Sequence, residues 1–407
     1  MANTFKTTTW MAKEFLRHFE NNNTFSKFVT KGYGAEYMKP DMKPGATIKI
    51  PKPARFTATS GATASFPDLT EEEASLTIGQ YNTSFAPTGL QLATEVQRAQ
   101  WSERYIKPQA IALVSQIDKD GLDLVRTTVA NSSGTPGTTP SALLTYSTAR
   151  AIALENGMPA KGDLSVVINP VAEATIVDAL KGLFQSSTDI ERQYREGTMG
   201  MTIGAKWSMD QLVSSHTSGQ RGGTPLTNGA TATGATSLVT DGWTAAAANR
   251  VKAGDVFTIA NVFAVNPVTK QTTGRLRQFV VTADAASDVA GNATLSISPP
   301  IYGPTSTTLQ NVDALPVDNA ALTFVSNAST VGTHNVLFHK DAFTLASIPV
   351  VPLGGGVESY TETDPDTGIT VCVSIGADVT NFKRLIRCDV MYGWAALRPE
   401  WACRVEG

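Results

Sequence analysis

Between residues 10 and 20, Met11, Phe15 and Phe19 recur every fourth position with Lys13, Glu14, Arg17 and His18 between them, the spacing of a short amphipathic helix. Asn21, Asn22 and Asn23 stop it. This arm, with five basic and two acidic residues up to Lys31, carries more apolar surface than one helix buries alone, so it is expected to dock on another part of the chain or on a neighbour. TIKIPKP from Thr47 alternates like a strand until Pro51 and Pro53 confine it to an edge, and SLTIGQ from Ser75 is strand-like again. The intervening TATSGATASFPD has turn chemistry, so residues 47–80 read as a long, poorly buried hairpin. Residues 90–130 form the longest helical stretch. Ile111, Val114, Ile117, Leu122, Val125 and Val129 keep its stripe, and Pro108 either opens a second helix or kinks a continuous one. From 108 to 129 such a helix spans about 33 Å, the length of a structural spine.

NSSGTPGTTPS, residues 131–141, is a linker by its Gly, Pro and Ser content. Helix is expected over 142–156, an apolar strand over 164–168 and helix again over 171–184, an alternation that predicts helices layered on a sheet. Residues 187–200 read as an exposed loop. The pattern then changes. DVFTIA, RQFVVT, TLSIS and LTFVS are short β-rich runs separated by Gly, Pro, Asn and Asp, which predicts a small β-sandwich or barrel. Apolar runs return in NVLFH and TLASIPVVPL, and ITVCVSIG and RLIRCDVMYGWAAL read as strands near the end.

Composition sharpens the boundaries of that middle stretch. No glutamate occurs between Glu196 and Glu358, and 11 of the 112 residues from 222 to 333 are charged, against 58 of the other 295. We therefore expect an inserted all-β domain over 222–333 that splits one α/β domain in sequence, folds on its own, supports the fold around it and touches neighbours. Over the 407 residues, 17% charged and 42% hydrophobic side chains exclude general disorder. The net charge of -3 provides no overall attraction to nucleic acid or an anionic membrane. No run approaches a membrane span and no secretory signal opens the chain. Cys372, Cys388 and Cys403, odd in number and without C-x-x-C, suit a reducing cytosol and exclude a disulfide framework or a thiolate zinc site.

Chemistry-bearing motifs are absent. There is no P-loop, no complete G-x-G-x-x-G and no G-x-S-x-G. His334 and His339 lie five apart without H-E-x-x-H and read as ordinary histidines. TETDPDTGIT, with Asp364 and Asp366, lacks the last glutamate of a calcium loop and reads as a hairpin turn. Lys270, Arg275 and Arg277 read as a solvated hairpin, and Cys372 and Cys388 as core thiols. Neither a catalytic residue, a metal site nor a cofactor is expected. The charges between 39 and 80 are segregated: Lys43, Lys49, Lys52 and Arg55 lie on one leg, and Glu71, Glu72 and Glu73 lie at the start of the other. They are the candidates for contacts between subunits, as against a plain solvated face.

The order of parts resembles the major capsid proteins of tailed double-stranded DNA phages, the Hong Kong 97 capsid fold. Short motifs narrow the resemblance to the coat proteins of the short-tailed Salmonella phages: Tyr194-Arg195-Glu196-Gly197-Thr198, Val251-Lys252-Ala253-Gly254-Asp255, Asn335-Val336 with Phe338, Arg387 opening an apolar strand that Tyr392-Gly393 ends, and Arg398-Pro399-Glu400. The resemblance implies an α+β fold with an N-terminal arm (1–38), an extended β-hairpin loop (39–89), a spine helix and peripheral domain (90–140), an axial domain in two parts (141–221 and 334–407), and an inserted β-barrel domain (222–333). It implies a shell of hexamers and pentamers, assembled in the host cytoplasm with scaffolding protein around a portal, and filled with double-stranded DNA held by weak, non-specific contact. A decoration protein is left open. The low charge of the insertion departs from the family pattern, so no salt bridge between insertions is carried over. A carbohydrate-binding or adhesin-like β protein is the alternative that the Thr- and Gly-rich middle suggests, with an enzyme third.

Overall fold

The computed structural model describes residues 7–20, 23–31, 43–53, 56, 72–87, 102–180, 201–245, 248–306, 308–355, 357–364 and 368–407. The expected exposed loop at 187–200, the tip of the hairpin, the first turns of the expected spine and Asp366 lie outside them. The fold is a mixture of helices and strands. Two compact units divide the chain: residues 1–50, 73–121 and 343–395 in the first, and 51–72, 122–342 and 396–407 in the second.

The first unit is built on a five-stranded sheet. Phe343–Ile348, Lys383–Ala396, Thr370–Asp378 and Glu358–Thr363 follow one another in space, and Gly79–Phe85 pairs antiparallel with Lys383–Ala396. The amphipathic helix Thr7–Glu20 lies on Glu358–Thr363 and Thr370–Asp378, which buries Met11, Phe15 and Phe19 as the four-residue spacing predicts. The apolar face of the arm is thus covered by its own chain. Strands Thr47–Pro51 and Glu73–Thr77 pair as a two-stranded ribbon. Their alternation buries Ile48, Ile50, Ala74 and Leu76 on one face, so the described legs are not the poorly buried ribbon that the Pro and Thr content suggested.

A π-helical turn, Ser102–Ile106, leads into the helix Lys107–Thr128, whose 22 residues match the helix expected from 108 to 129 and take Pro108 into the first turn, where no backbone N–H is required. Val114, Ile117, Leu122, Val125 and Val129 are buried, but Ile111 is exposed and Ala110 and Leu113 are buried in its place. Each three-residue step falls about 60° short of a turn, so Ile111, two such steps from Ile117, has drifted about 120° off the buried face.

Gly393 shows how tightly the ribbon is seated on the sheet. A Cβ there would lie 2.4 Å from Leu76 Cδ2 and 2.7 Å from the Thr77 carbonyl oxygen. We expect Gly393→Ala to cost about 1–3 kcal/mol through overpacking, read as a lower urea midpoint and faster amide exchange in Glu73–Thr77. Unchanged exchange there would show that the ribbon has room to move.

In the second unit Leu164–Ile168 is buried at every position, as its unbroken apolar run predicts. It runs parallel to Ala205–Met209 and antiparallel to Val331–His339, which also pairs with Ala402–Glu406; that strand runs parallel to Ser132–Gly134. Helices Leu143–Glu155 and Pro170–Leu180 contribute Tyr146, Ala149, Ile152, Ala153, Ala172 and Ile176 to one core with Val166, Leu337, Cys403 and Val405 of this sheet.

A second sheet lies between Ser215–Thr217 and Val331–His339 in sequence. Its order is Leu322–Phe324, Val256–Val265, Thr272–Val281, Ala293–Ile301, Ala235–Trp243 and Gly223–Thr227. Its two ends meet: Leu226 bridges Ala321, and the Thr227 N–H donates to the Ala320 carbonyl at 2.9 Å. Phe257, Ile259, Phe279, Val281, Leu295 and Ile297, from the runs DVFTIA, RQFVVT and TLSIS, are buried together with Leu238 and Trp243. The strands Gly223–Thr227 and Ala235–Trp243 were missed, because Gly and Thr give them too little hydrophobic contrast. Arg277 corrects another expectation. It is buried and donates to Asn156 Oδ1 at 2.7 Å, while Arg275 pairs with Glu155 at 3.1 Å and Lys270 donates to the Thr308 carbonyl at 2.9 Å.

Candidate functional site

The densest group of buried charge among the described residues lies in the second unit, where the strand Val331–His339 changes partners. Val331, Gly332 and Thr333 pair with Thr217, His216 and Ser215; from His334 onward the strand pairs with Glu406 to Ala402. Residues 219–329 leave and rejoin the sheet at this point, through a short neck. The Ser218 N–H donates to the Thr330 carbonyl at 2.9 Å, its hydroxyl to the Asn327 carbonyl at 2.6 Å, and the Ser329 N–H to the Gly219 carbonyl at 3.1 Å.

Asp255, from the Gly254-Asp255 turn, holds one side of the neck. Its carboxylate accepts from Arg221 Nη1 at 2.6 Å, His216 Nε2 at 3.0 Å, and the backbone N–H groups of Lys252 at 2.8 Å and Gly219 at 3.2 Å. Burial would push this carboxyl up, but the His216 and Arg221 donors outweigh it and hold the pKa at about 2. Arg221 also lies over the Phe324 ring, 3.8 Å from its centre, and takes φ 54°, a left-handed conformation that its ion pair sustains. Gly254 has φ 104°, and a Cβ there would meet Arg126 Cγ at 2.7 Å, so the turn requires glycine.

Arg404 and Glu406 hold the other side. Fully buried Arg404 donates through Nη1 to the Arg126 carbonyl at 3.0 Å and the Gly254 carbonyl at 2.9 Å. The first of these is one of the last carbonyls of the helix ending at Thr128, so a guanidinium satisfies a group that helix geometry leaves open and places positive charge at the negative end of the dipole. Arg404 Nε lies 3.4 Å from Glu406 Oε1, which also accepts from Ser132 Oγ at 3.2 Å. His334 Nδ1 stands 2.5 Å from Glu406 Oε2. A carboxylate only accepts, so Nδ1 carries the proton, and in the neutral ring the buried Nε2 is a bare acceptor with no hydrogen-bond partner among the described residues. Burial lowers the His334 pKa; it would raise that of Glu406, which His334, Arg404 and Ser132 instead hold at about 2. The sequence marked Gly254 and Asp255, read His334 as an ordinary histidine, and missed Arg404 and Glu406. The one available signal was two charged residues two apart in ACRVEG.

The other candidates lie apart from this group. Arg387 makes a two-pronged pair with Asp389, at 2.8 and 2.7 Å, and Asp389 also accepts from Gln80 Nε2 at 2.9 Å. Tyr392 donates to Asp120 at 2.6 Å and stacks on Tyr81, with ring centres 4.9 Å apart. Pro399 opens the 3-10 turn Pro399–Trp401, Arg398 lies 4.0 Å from the centre of the Trp401 ring, and the Glu400 carbonyl accepts from Asn131 Nδ2 at 3.0 Å. Lys49 pairs with Glu73 at 2.8 Å and Lys52 with Glu72 at 3.8 Å, both within the hairpin; Lys43 is exposed. Arg55, Glu71, Tyr194, Arg195, Glu196 and Gly197 lie outside the described residues. Cys372, Cys388 and Cys403 are buried free thiols, and burial pushes that of Cys388 up to about 12, away from thiolate chemistry. No group of metal-ligating side chains occurs among the described residues, and none of their helices is long and apolar enough to cross a membrane.

The chain is similar to known proteins over most of its length. The model of the family described as P22 coat protein, gene protein 5, matches residues 1–405. None of the curated proteins matches. Among solved structures, that of Mycobacterium phage Che8 is 14% identical over 94% of this chain and 90% of that chain, with a TM-score of 0.45. The capsid of Ralstonia phage GP4 is 7% identical over 95% and 90%, with a TM-score of 0.46. The CUS-3 coat protein I-domain is 28% identical over 25% of this chain and 94% of its own, with a TM-score of 0.19.

Proposed function

The chain belongs to the P22 coat protein family and is a major capsid protein whose copies build a phage shell, and from that premise we propose that it does so with a Hong Kong 97-like fold carrying an inserted β-barrel. The family match over residues 1–405 carries this reading. In it, residues 1–38 are the arm, 39–89 the loop extended over a neighbouring subunit, 90–140 the spine helix and peripheral domain, 141–221 and 334–407 the axial domain, and 222–333 the barrel. The Leu226–Ala321 bridge, which brings the last strand of the six back to the first, supports a barrel over an open sheet. The copies group as hexamers and pentamers around a portal, with scaffolding protein during assembly in the host cytoplasm. With a net charge of -3, the chain contacts packaged DNA weakly and without sequence preference.

The hairpin charges have two uses in this reading. Within one subunit, Lys49–Glu73 and Lys52–Glu72 tie the legs together. Exposed pairs of this kind add little to the stability of a single chain, and they become significant when the same surface meets a neighbour at every copy of the shell. Negative-stain microscopy of the expressed chain, alone and with its scaffolding protein, tests this against Glu72→Lys/Glu73→Lys. The unaltered chain should give closed shells or capsomers, and the variant at least about tenfold fewer, with an unchanged unfolding midpoint. Normal shell yield from the variant at low and high salt would remove the hairpin charges from the contact. Soluble, glycan-binding monomers from the unaltered chain would overturn the fold reading.

A further inference from the structure

We propose that His334 is a proton-sensitive latch for the neck through which residues 219–329 leave and rejoin the strand Val331–His339. The proposal goes beyond shell building and is tested on the free chain, so its failure and that of the shell reading are distinguishable.

Position is the first reason. His334 is the residue at which the strand passes from one partner to another: Thr333 faces Ser215, and His334 faces Glu406. Its backbone N–H donates to the Ser214 carbonyl at 3.0 Å, while Thr333 and Gly407 exchange bonds of 2.7 and 2.9 Å. Loosening His334 therefore loosens the pairing of Val331–Thr333 with Ser215–Thr217, on which the neck stands.

Charge balance is the second. From the strand Ala402–Glu406, Arg404 and Glu406 face the ring; from Ser215–Thr217, His216 lies with its ring centre 5.7 Å away; from the loop after Lys252, Asp255 completes the group and holds Arg221. Ser132–Gly134 contributes the Ser132 hydroxyl, and the helix end contributes the Arg126 carbonyl together with a further positive charge, the Arg126 guanidinium on the Ala253 carbonyl at 2.7 Å. The Asp255 and Glu406 carboxylates are already matched by the Arg221 and Arg404 guanidinium groups while His334 is neutral. One proton on His334 leaves a buried positive charge facing Arg404, with no further carboxylate to meet it. A cavity of about 10 Å³ lined by His216, Asp255, His334, Arg404 and Glu406 has room for at most about one water, so little solvent is at hand to relieve that charge while the neck is closed.

The direction follows from linkage. Burial keeps the His334 pKa below its ordinary 6.5 in the closed neck, and opening restores it, so protons bind the open form. The stabilisation is complete above pH 6.5 and declines as pH falls below it. Between pH 7.5 and 5.5 the opening equilibrium should rise by up to about tenfold.

Hydrogen exchange with mass spectrometry on the free full-length chain, corrected for the pH dependence of intrinsic exchange, measures this. Peptides over 215–221 and 329–335 should gain up to about tenfold in opening at pH 5.5, while 370–378 stays unchanged. His334→Asn, which keeps a donor for Glu406 and cannot titrate, should abolish the slope. Should that variant fold poorly, exchange at the imidazole C2 of His334 in the unaltered chain decides, with an expected midpoint below 6.5. Equal neck exchange at the two pH values, an unchanged slope in His334→Asn, or a His334 midpoint at or above 6.5 would each overturn the proposal.

Discussion

Asp255→Ala lowers the stability of the second unit by about 3–5 kcal/mol, the range for removing one partner of a buried charge pair. The loss is large because four donors converge on that carboxylate and the substitution leaves all of them, the Arg221 guanidinium included, without their acceptor in a dry site. Urea titration should show it as a lower midpoint with little change in slope, and exchange should rise across Val256–Val265 and Thr272–Val281. Arg221→Ala combined with Asp255→Ala should cost less than the sum of the two, since removing the stranded cation relieves part of the penalty. The pH profile gives a second reading. The folded pKa of Asp255, about 2, lies below the ordinary 3.8, so its stabilisation is present above 3.8 and lost as pH falls towards 2. Asp255→Ala should lack that part of the acid slope. A stability within about 1 kcal/mol of the unaltered chain would mean that water reaches Arg221 and the neck is not closed.

Asp118→Ala should have the next largest effect, about 3 kcal/mol, in the first unit. Asp118 lies in the middle of the helix Lys107–Thr128 yet is buried, and its carboxylate accepts from the Thr24 N–H at 2.8 Å, the Thr24 hydroxyl at 3.1 Å and the Ser26 N–H at 2.9 Å. These bonds hold Phe25 between Phe343 and Trp394, with ring centres 5.7 and 5.3 Å away. Without the carboxylate the buried N–H of Ser26 loses its acceptor, and residues 23–30 should gain exchange and become sensitive to protease while Lys107–Thr128 stays protected. Asn at 118, which keeps one acceptor oxygen, should lose less. Unchanged exchange at 24–28 in Asp118→Ala would show that Phe25 seats the segment without Asp118.

These two carboxylates mark the limit of reading along the chain. Asp118, with Lys119 and Asp120 after it, has the appearance of a solvated charged face, and Asp255 that of an ordinary turn residue after glycine. Both gain their roles from donors far away in sequence: Thr24 and Ser26 for Asp118, and Arg221 and His216 for Asp255. Arg387, read as the opening of an apolar strand, is clamped on Asp389 two residues along, a local pair that the strand pattern did not mark.

Elements with one wet face and one dry face were legible from periodicity alone. The helices Thr7–Glu20 and Leu143–Glu155, the hairpin legs, and the strands with β-branched or aromatic alternation belong to this class. The run Leu164–Ile168 has no wet face and was legible instead as an unbroken apolar stretch too short for a helix. The low-charge stretch between 222 and 333 pointed to β-rich structure in that part of the chain. Periodicity measures a difference between two faces, and it fails where that difference vanishes. Ala402–Glu406 is buried at every position although two of its five residues, Arg404 and Glu406, are charged, and Gly223–Thr227 and Ala235–Trp243 carry too few apolar side chains to stand out. Which charges lie in the core, and which of them neutralise one another, was settled by tertiary structure, because a buried ion is tolerated only where the fold brings a counter-ion to it, and no local pattern records where the rest of the chain will be.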